Sequence, residues 1–255
     1  MAESGGTDVI DDLVVLGRAG PELIQDGRHT VCLGGWSESK GFVRLYPTHR
    51  YTTQAKRWNI IKAPVEQDES HDWRNESWKI VGSKKDWDSL YKKVKEVGRL
   101  ERRERIELVK EIPKACPIKL NEEKKSMGMV KPEEIHDAYL KEVENPEPVQ
   151  TNMQGDELRS KNSYPYKLYI EYTCSDCQAK SNHNQHCIEW GIYRWWDKSP
   201  DKPEQVIENL RLMDDDWKKY FFVGNMWNNP TSFIIISIMR WKKDDVYQQT
   251  MTQFK

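Results

Sequence analysis

Residues 31–47 read VCLGGWSESKGFVRLYP, and the fold turns on how this stretch divides. Residues 29–33 (HTVCL) read as a strand, GGWSESKG as the turn after it, and Phe42-Val43-Arg44-Leu45-Tyr46 as a returning strand that Pro47 closes. Successive strand side chains point to opposite faces, so Phe42, Arg44 and Tyr46 share one face while Val43 and Leu45 share the other. One face is apolar. The other sets an arginine between two aromatic rings.

Working outward from this hairpin, 13–17 (LVVLG) reads as a strand before it, and 1–12 (MAESGGTDVIDD), small and acidic, as a frayed start. After it, 57–65 (RWNIIKAPV) and 76–81 (ESWKIV) continue the strand pattern. The period then changes. Ser83 with Asp86 three residues on marks a helix start, and Trp87, Leu90, Tyr91, Val94 and Val97 follow at helical spacing until Gly98. A second helical run, LERRERIELVK, precedes Pro113. Residues 116–120 (CPIKL) and 127–130 (MGMV) read as short strands around NEEKKS. The polar segment 141–163, with two prolines and a glycine, reads as a linker between domains. Beyond it, 166–172 alternates as a strand. Pro203 opens a helix whose Val206, Ile207, Leu210, Met213 and Trp217 form a stripe. Segments 221–224 and 231–241 close the chain as a strand pair, the second apolar enough to be central and covered on both faces.

The chain has 255 residues, 40 basic against 41 acidic, with a formal charge of -1. No overall field draws in a polyanion, so nucleic-acid binding has to rest on local patches. At a mean hydropathy of -0.88 the chain is very polar. Yet 11 Trp, 11 Tyr and 5 Phe supply the aromatic mass of a packed core. No apolar run is long enough to span a bilayer, and five unevenly spaced cysteines point to reduced thiols, so a cytoplasmic protein without membrane partners is expected.

The segment 31–47 resembles the dual OB-containing domain family. In that family a strand with cysteine and glycine is followed by a turn and by a strand carrying an arginine and then a proline. The matching positions are Cys32, Gly34 or Gly35, Arg44 and Pro47; RWNIIKAPVEQ and DWRNESWKI, with Glu76 and Trp78, extend the likeness over 29–132. The sequence departs from the pattern at Leu33, and Leu45-Tyr46 separate the arginine from the proline. The C-terminal part is similar to uncharacterised bacterial and archaeal proteins with a Cys…Cys…His segment and an acidic-Trp pair, here Glu189-Trp190. The first resemblance implies an α+β, mainly antiparallel architecture. An OB-like barrel region with a helical insertion at 84–110 is expected over 1–140, followed by the linker and by an α/β unit over 164–255. It also implies single-strand binding on a sheet face, because such barrels stack bases on aromatic side chains.

The densest chemistry lies in SYPYKLYIEYTCSDCQAKSNHNQHCIEWGIYRWW, residues 163–196. Cys174-x2-Cys177 offers two thiols across a tight turn, and His183 and Cys187 complete four zinc ligands, with His186 as an alternative fourth. The span equals that of a zinc knuckle with its histidine one residue late. If zinc binds, a structural role follows, because all four positions are filled. The alternatives are a metal-free polar loop with reduced thiols, or a redox thiol, for which no flanking helix is evident.

Arg44 between Phe42 and Tyr46, joined by Trp36, Arg57 and Trp58, has the composition of a stacking platform with phosphate-binding arginines. Each stacked base contributes about 1–3 kcal/mol. The alternative is a half-buried strand with a structural arginine. Residues 84–125 hold fourteen Lys and Arg against nine Asp and Glu. That region either contacts phosphates or is a solvated helix laced by Glu101–Arg105 and Arg103–Glu107 pairs. Asp72 and Glu76, in the run His71 to Glu76, and Glu189 are the catalytic candidates, against a salt-bridged turn. The chain lacks a P-loop, a dinucleotide fingerprint, HExxH and a nucleophile elbow. The expectation is a non-catalytic nucleic-acid-binding or recognition module acting with a partner protein. The alternatives are a metal-dependent enzyme acting on nucleic acid or nucleotides, and a structural protein–protein adaptor.

Overall fold

The structure is a computed structural model that describes residues 7–24, 26–50, 52, 55–67, 72–151, 155, 157–175, 177 and 179–246. Its first sheet holds β1 (Thr7–Arg18), β2 (Glu22–Leu23), β3 (His29–Ser37), β4 (Gly41–His49), β5 (Asn59–Glu66), β6 (Ser77–Ile80) and β7 (Lys95–Arg99). The strand order β1-β3-β4-β6-β5 closes on itself, because β5 also pairs with β1, and β4 runs parallel to β6. A five-stranded barrel closed in this order is compatible with an OB-like domain. Closure has a local cause. β1 is longer than its apolar core 13–17 because Thr7–Ile10 pair with 63–66 on β5, whereas Val14 onward pairs with β3. The segment expected to be frayed is thus half of a barrel strand from Thr7 on. Leu13, Val15, Leu33, Val43, Leu45, Ile61 and Val65 fill the barrel. Each such side chain contributes about 1.5–3 kcal/mol on burial.

The helical spacing after Ser83 holds for only one turn. A short α1 (Trp87–Leu90) buries Trp87 and Leu90, and the chain then becomes β7, which pairs with Asn59–Lys62 of β5. The edge of β5 needs hydrogen-bond partners, and the β-branched Val94 and Val97 suit a strand. α2 (Arg102–Glu111) follows as expected, and its Ile106 and Val109 are buried. Residues 116–120, expected to be a strand, begin α3 (Pro117–Glu122), with Pro117 at its first position, where a missing N–H costs nothing.

The second sheet contains β8 (Met127–Val130), β9 (Pro132–Glu142), β12 (Tyr166–Cys174), β13 (His183–Cys187), β14 (Trp217–Met226) and β15 (Asn229–Lys242). Its order is β8-β14-β15-β13-β12-β9. A small hairpin of β10 (Gln150–Thr151) and β11 (Glu157–Leu158) lies in the connection from β9 to β12, which are neighbours in this sheet. Segment 141–163 is therefore a connection inside the second unit, and that unit takes in β8 and β9 from the region assigned to the barrel. β15 is central and buried along its middle, as its apolar sequence requires. Helices α4 (Trp190–Lys198) and α5 (Gln205–Leu210) cover one face through Tyr193, Trp196, Val206 and Leu210.

The other face lies on the barrel. Phe222, Met127, Met129, Ile236 and Trp241 share a buried cluster with Val14 and Leu16 of β1 and Ile106 and Val109 of α2. Gly34 allows the approach, since a Cβ there would stand 2.5 Å from the Phe222 ring. Among the described residues no helix is long and apolar enough to cross a membrane.

Candidate metal centre

Three separated pieces of chain meet at one corner of the second sheet. Cys116 precedes α3 as its N-cap, Cys174 ends β12, Cys177 lies in the loop beyond, and His183 begins β13 opposite Tyr172. Cys116 Sγ is 3.1 Å from Cys177 Sγ and 3.4 Å from His183 Nε2, and Cys177 Sγ is 3.1 Å from the same nitrogen. Tetrahedral zinc, with Zn–S of about 2.3 Å and Zn–N of about 2.0 Å, spaces such ligands about 3.6–3.8 Å apart. The three atoms thus converge on one point at nearly the spacing a single ion needs. A disulfide is a different arrangement, with sulfurs about 2.05 Å apart. All five cysteines are free. Cys174 ends β12 beside this group, and the Cys116 and Cys177 thiols act on its own thiol.

Backbone amides aim at the sulfurs. Ala179 N–H donates to Cys177 Sγ at 3.3 Å, and the amides of Ile118 and Lys119 in the first turn of α3 favour the charged form of the Cys116 thiol. Such bonds orient metal-bound thiolates and spread their charge. Burial, then the bond with Cys177, pushes the Cys116 thiol up, and the two amides oppose this. Burial, then the Cys116 and Cys177 thiols, raises the Cys174 thiol. Burial lowers the His183 imidazole, which keeps it neutral with a lone pair available. A bound divalent cation reverses the thiol preference, because it coordinates the thiolate.

Two residues expected in this set stand elsewhere. Cys187 is fully buried and pairs across the sheet with Leu168 and Ile235. It lies four residues beyond His183 on the same strand, about 13 Å away at the strand rise, so it packs the core and is no ligand beside His183. His186 projects from the opposite side of β13 to His183 and stacks on Tyr169 at 5.4 Å. Cys116, outside the expected set, stands beside Cys177 and His183 instead. The sequence alone carried one hint of it, a cysteine before a helix-starting proline, and nothing that tied it to a hairpin so much later in the chain.

The stacking platform is corrected as well. Phe42, Arg44 and Tyr46 do share the outward face of β4, but the second sheet covers much of that face. Phe42 stacks on Phe222 at 5.9 Å and meets Trp36 edge-on at 4.9 Å. Arg44 is 2% exposed. It donates to Ser77 Oγ, Ser126 Oγ and the Ser126 carbonyl at 3.0–3.2 Å, leaving no path to an external phosphate. Tyr46 is half-buried, with its hydroxyl 3.4 Å from Thr30 Oγ1. Trp58 packs against the same buried cluster as Trp36 and Phe42, and both Arg57 and Trp58 make further contacts. Arg57 donates to Glu189 Oε1, Ser237 Oγ and the Ile238 carbonyl, and Trp58 faces Arg105.

The catalytic candidates hold the two units together or shape turns. Asp72 takes a bidentate pair from Arg74 at 2.6 and 2.7 Å, and Arg74 also reaches the Asn225 carbonyl. Glu76 accepts from Ser126 N–H and Oγ. Glu189 pairs with Arg57 at 3.1 Å and accepts from Ile238 N–H at 2.7 Å. His71 lies outside the described residues. On α2, the Arg103–Glu107 pair forms at 2.7 Å, whereas Arg105 turns to the Leu100 carbonyl instead of to Glu101.

Residues 117–254 match the family model described as Domain of unknown function (DUF8757), and residues 10–111 match the one described as Domain of unknown function (DUF8758). No curated protein matches the chain. The gap between the two matches falls between α2 and α3, where the chain passes from the barrel side to the metal corner.

Proposed function

The chain belongs to the DUF8757 family, and from that premise we propose that it is a non-catalytic nucleic-acid-recognition module whose second unit is pinned by a structural zinc ion on Cys116, Cys174, Cys177 and His183. The observation that carries the zinc is the convergence of Cys116, Cys177 and His183, with distances of 3.1–3.4 Å; Cys174, at the end of β12 beside them, is the fourth ligand of the proposal. Four protein ligands close the coordination sphere, so the ion ties α3 to the β12–β13 hairpin and leaves no position for a substrate. The recognition role is supported by the barrel closure order with β4 parallel to β6, since small barrels of this kind serve as single-strand platforms. This is an argument from fold, and fold alone does not fix function. Against an enzyme, Asp72, Glu76 and Glu189 are each engaged by a partner from the protein.

Two measurements test the proposal. Elemental analysis of the purified chain is expected to return about one zinc per chain. Fluorescence anisotropy with a labelled single-stranded oligonucleotide is expected to show binding that weakens steeply with salt. Absence of metal overturns the zinc assignment, and absence of strand binding at low salt overturns the recognition role.

A further inference from the structure

The covered face of β4 moves the question of ligand binding to a different place. Between the barrel and the second sheet opens a cleft of about 390 Å³. That volume lies within the range of small-ligand sites, about 300–1,000 Å³, and is too small to enclose a duplex. Four arginines line it: Arg57 beside β5, Arg102 and Arg105 on the first turn of α2, and Arg240 on β15. Trp58 and Trp217, both half-buried, supply indole rings, and Trp241 backs the wall, buried and stacked on Tyr220 at 5.0 Å.

The charges are unevenly compensated. Arg102 pairs with Asp245, and Arg57 with Glu189. Among the described residues, Arg105 and Arg240 show only neutral hydrogen-bond acceptors, the carbonyls of Leu100 and Asn209. Burial and the positive charges of Arg99, Arg57 and Arg102 hold the Arg105 guanidinium below its usual range, with Glu101 opposing. Burial also lowers Arg240; Glu189 opposes this, while Arg57 and Arg211 add to it. Cations crowded in this way lower the cost of admitting an anion.

Two further features of the walls stand out. Trp58 has φ 74, a left-handed conformation uncommon for a bulky residue. It is held there by the bonds Trp58 N–H to Val15 O and Leu100 N–H to Trp58 O. Strain of this kind persists where the surroundings enforce it, and it clusters at ligand sites. The buried indole N–H of Trp241 has no acceptor among the described residues.

We infer that this cleft is the ligand site and that it takes a phosphorylated nucleotide unit of a single strand, with an indole ring against the base and Arg105 and Arg240 at the phosphate. The inference rests on the nucleic-acid reading and moves it away from the sheet face that such barrels use. A planar guanidinium suits phosphate oxygens, and indole faces accept any base, so affinity without strong sequence preference is expected.

The test uses the 255-residue chain as purified and three probes: labelled dT12, dTMP and inorganic phosphate. Proteins compared are the wild type, the double variant Arg105→Gln/Arg240→Gln, and a control, Lys84→Gln/Lys85→Gln, at exposed positions elsewhere in the basic stretch. Thermal melts establish that each variant is folded. The double variant is expected to bind dT12 at least about tenfold more weakly, with a salt slope shallower by about 0.7 for the one phosphate that the two arginines share. The control is expected to match wild type. If dT12 binds wild type and the folded double variant equally, the cleft assignment falls and the nucleic-acid reading survives. If wild type ignores dT12 but binds dTMP or phosphate and the double variant does not, the cleft is an anion site and the single-strand source is overturned. If wild type binds none of the three, both fall.

Discussion

The Arg44 guanidinium is spent on Ser77 and Ser126, and Ser126 passes the contact on to Glu76 through its hydroxyl. Removing a charged donor from a buried network leaves the acceptors unpaired, so Arg44→Ala is expected to cost about 3 kcal/mol in urea unfolding. Oligonucleotide affinity of the surviving folded fraction should not change. At the metal corner, Cys116→Ala should abolish zinc binding in elemental analysis, whereas Cys187→Ala should keep the metal and lose only packing, about 1 kcal/mol. The reverse pattern would return the fourth ligand to Cys187. His186 gives a pH signature. Burial, reinforced by Lys167 and Lys161, lowers its pKa from 6.5 to about 3. Below 6.5 the unfolded chain takes up a proton that the folded chain refuses, so stability falls with falling pH, by about 1.4 kcal/mol per unit until pH nears the folded value. Wild type should lose about 2 kcal/mol between pH 6.5 and 5 through this group. The His186→Phe variant should show a slope flatter by that amount in paired urea titrations, and an unchanged slope would refute the assignment.

Among the elements, α3 couples packing to the metal centre. Leu120 lies on Gly128 of β8, where an added Cβ would stand 2.4 Å from a Leu120 methyl. Gly128→Ala forces Leu120 to give way, and where α3 moves with it Cys116 at the helix start moves too. The variant is expected to lose about 1–3 kcal/mol by overpacking and to release zinc to a chelating dye faster than wild type. Unaltered release would mean that Cys116 is held by its own loop and not by the helix. The helices and strands also show where local pattern was overruled. The apolar spacing from Trp87 to Val97 is helical, yet the open edge of β5 drew Lys95–Arg99 into β7. The Cys116-Pro117 step reads equally as a strand start or a helix start until Leu120 finds its seat.

For the whole molecule, one contact layer decides how barrel and second sheet work together. Phe42 on Phe222, Arg57 with Glu189, and Arg74 to the Asn225 carbonyl all cross it. Gly34→Val would drive a branched side chain into the Phe222 ring and the Met127 methyl, and its thermal melt is expected to show two transitions where the wild type shows one, while each unit keeps its own core. A single unchanged transition would show the layer to be tolerant. The hairpin of 31–47, the chain-closing pair and the spacing of Cys174 and Cys177 were legible in the sequence, because strand period and turn chemistry act over a few residues, although GGW, read as turn, continues β3 to Ser37. The outward face of Phe42, Arg44 and Tyr46 was legible too. Its covering was not, because that depends on a sheet built from residues beyond 126. The same holds for the meeting of Cys116 with Cys177 and His183 and for Arg105 and Arg240 on the wall of one cleft. Short-range rules set which residues share a face; only the closed tertiary structure, through contacts between distant segments, decided which faces meet each other and which remain for a ligand.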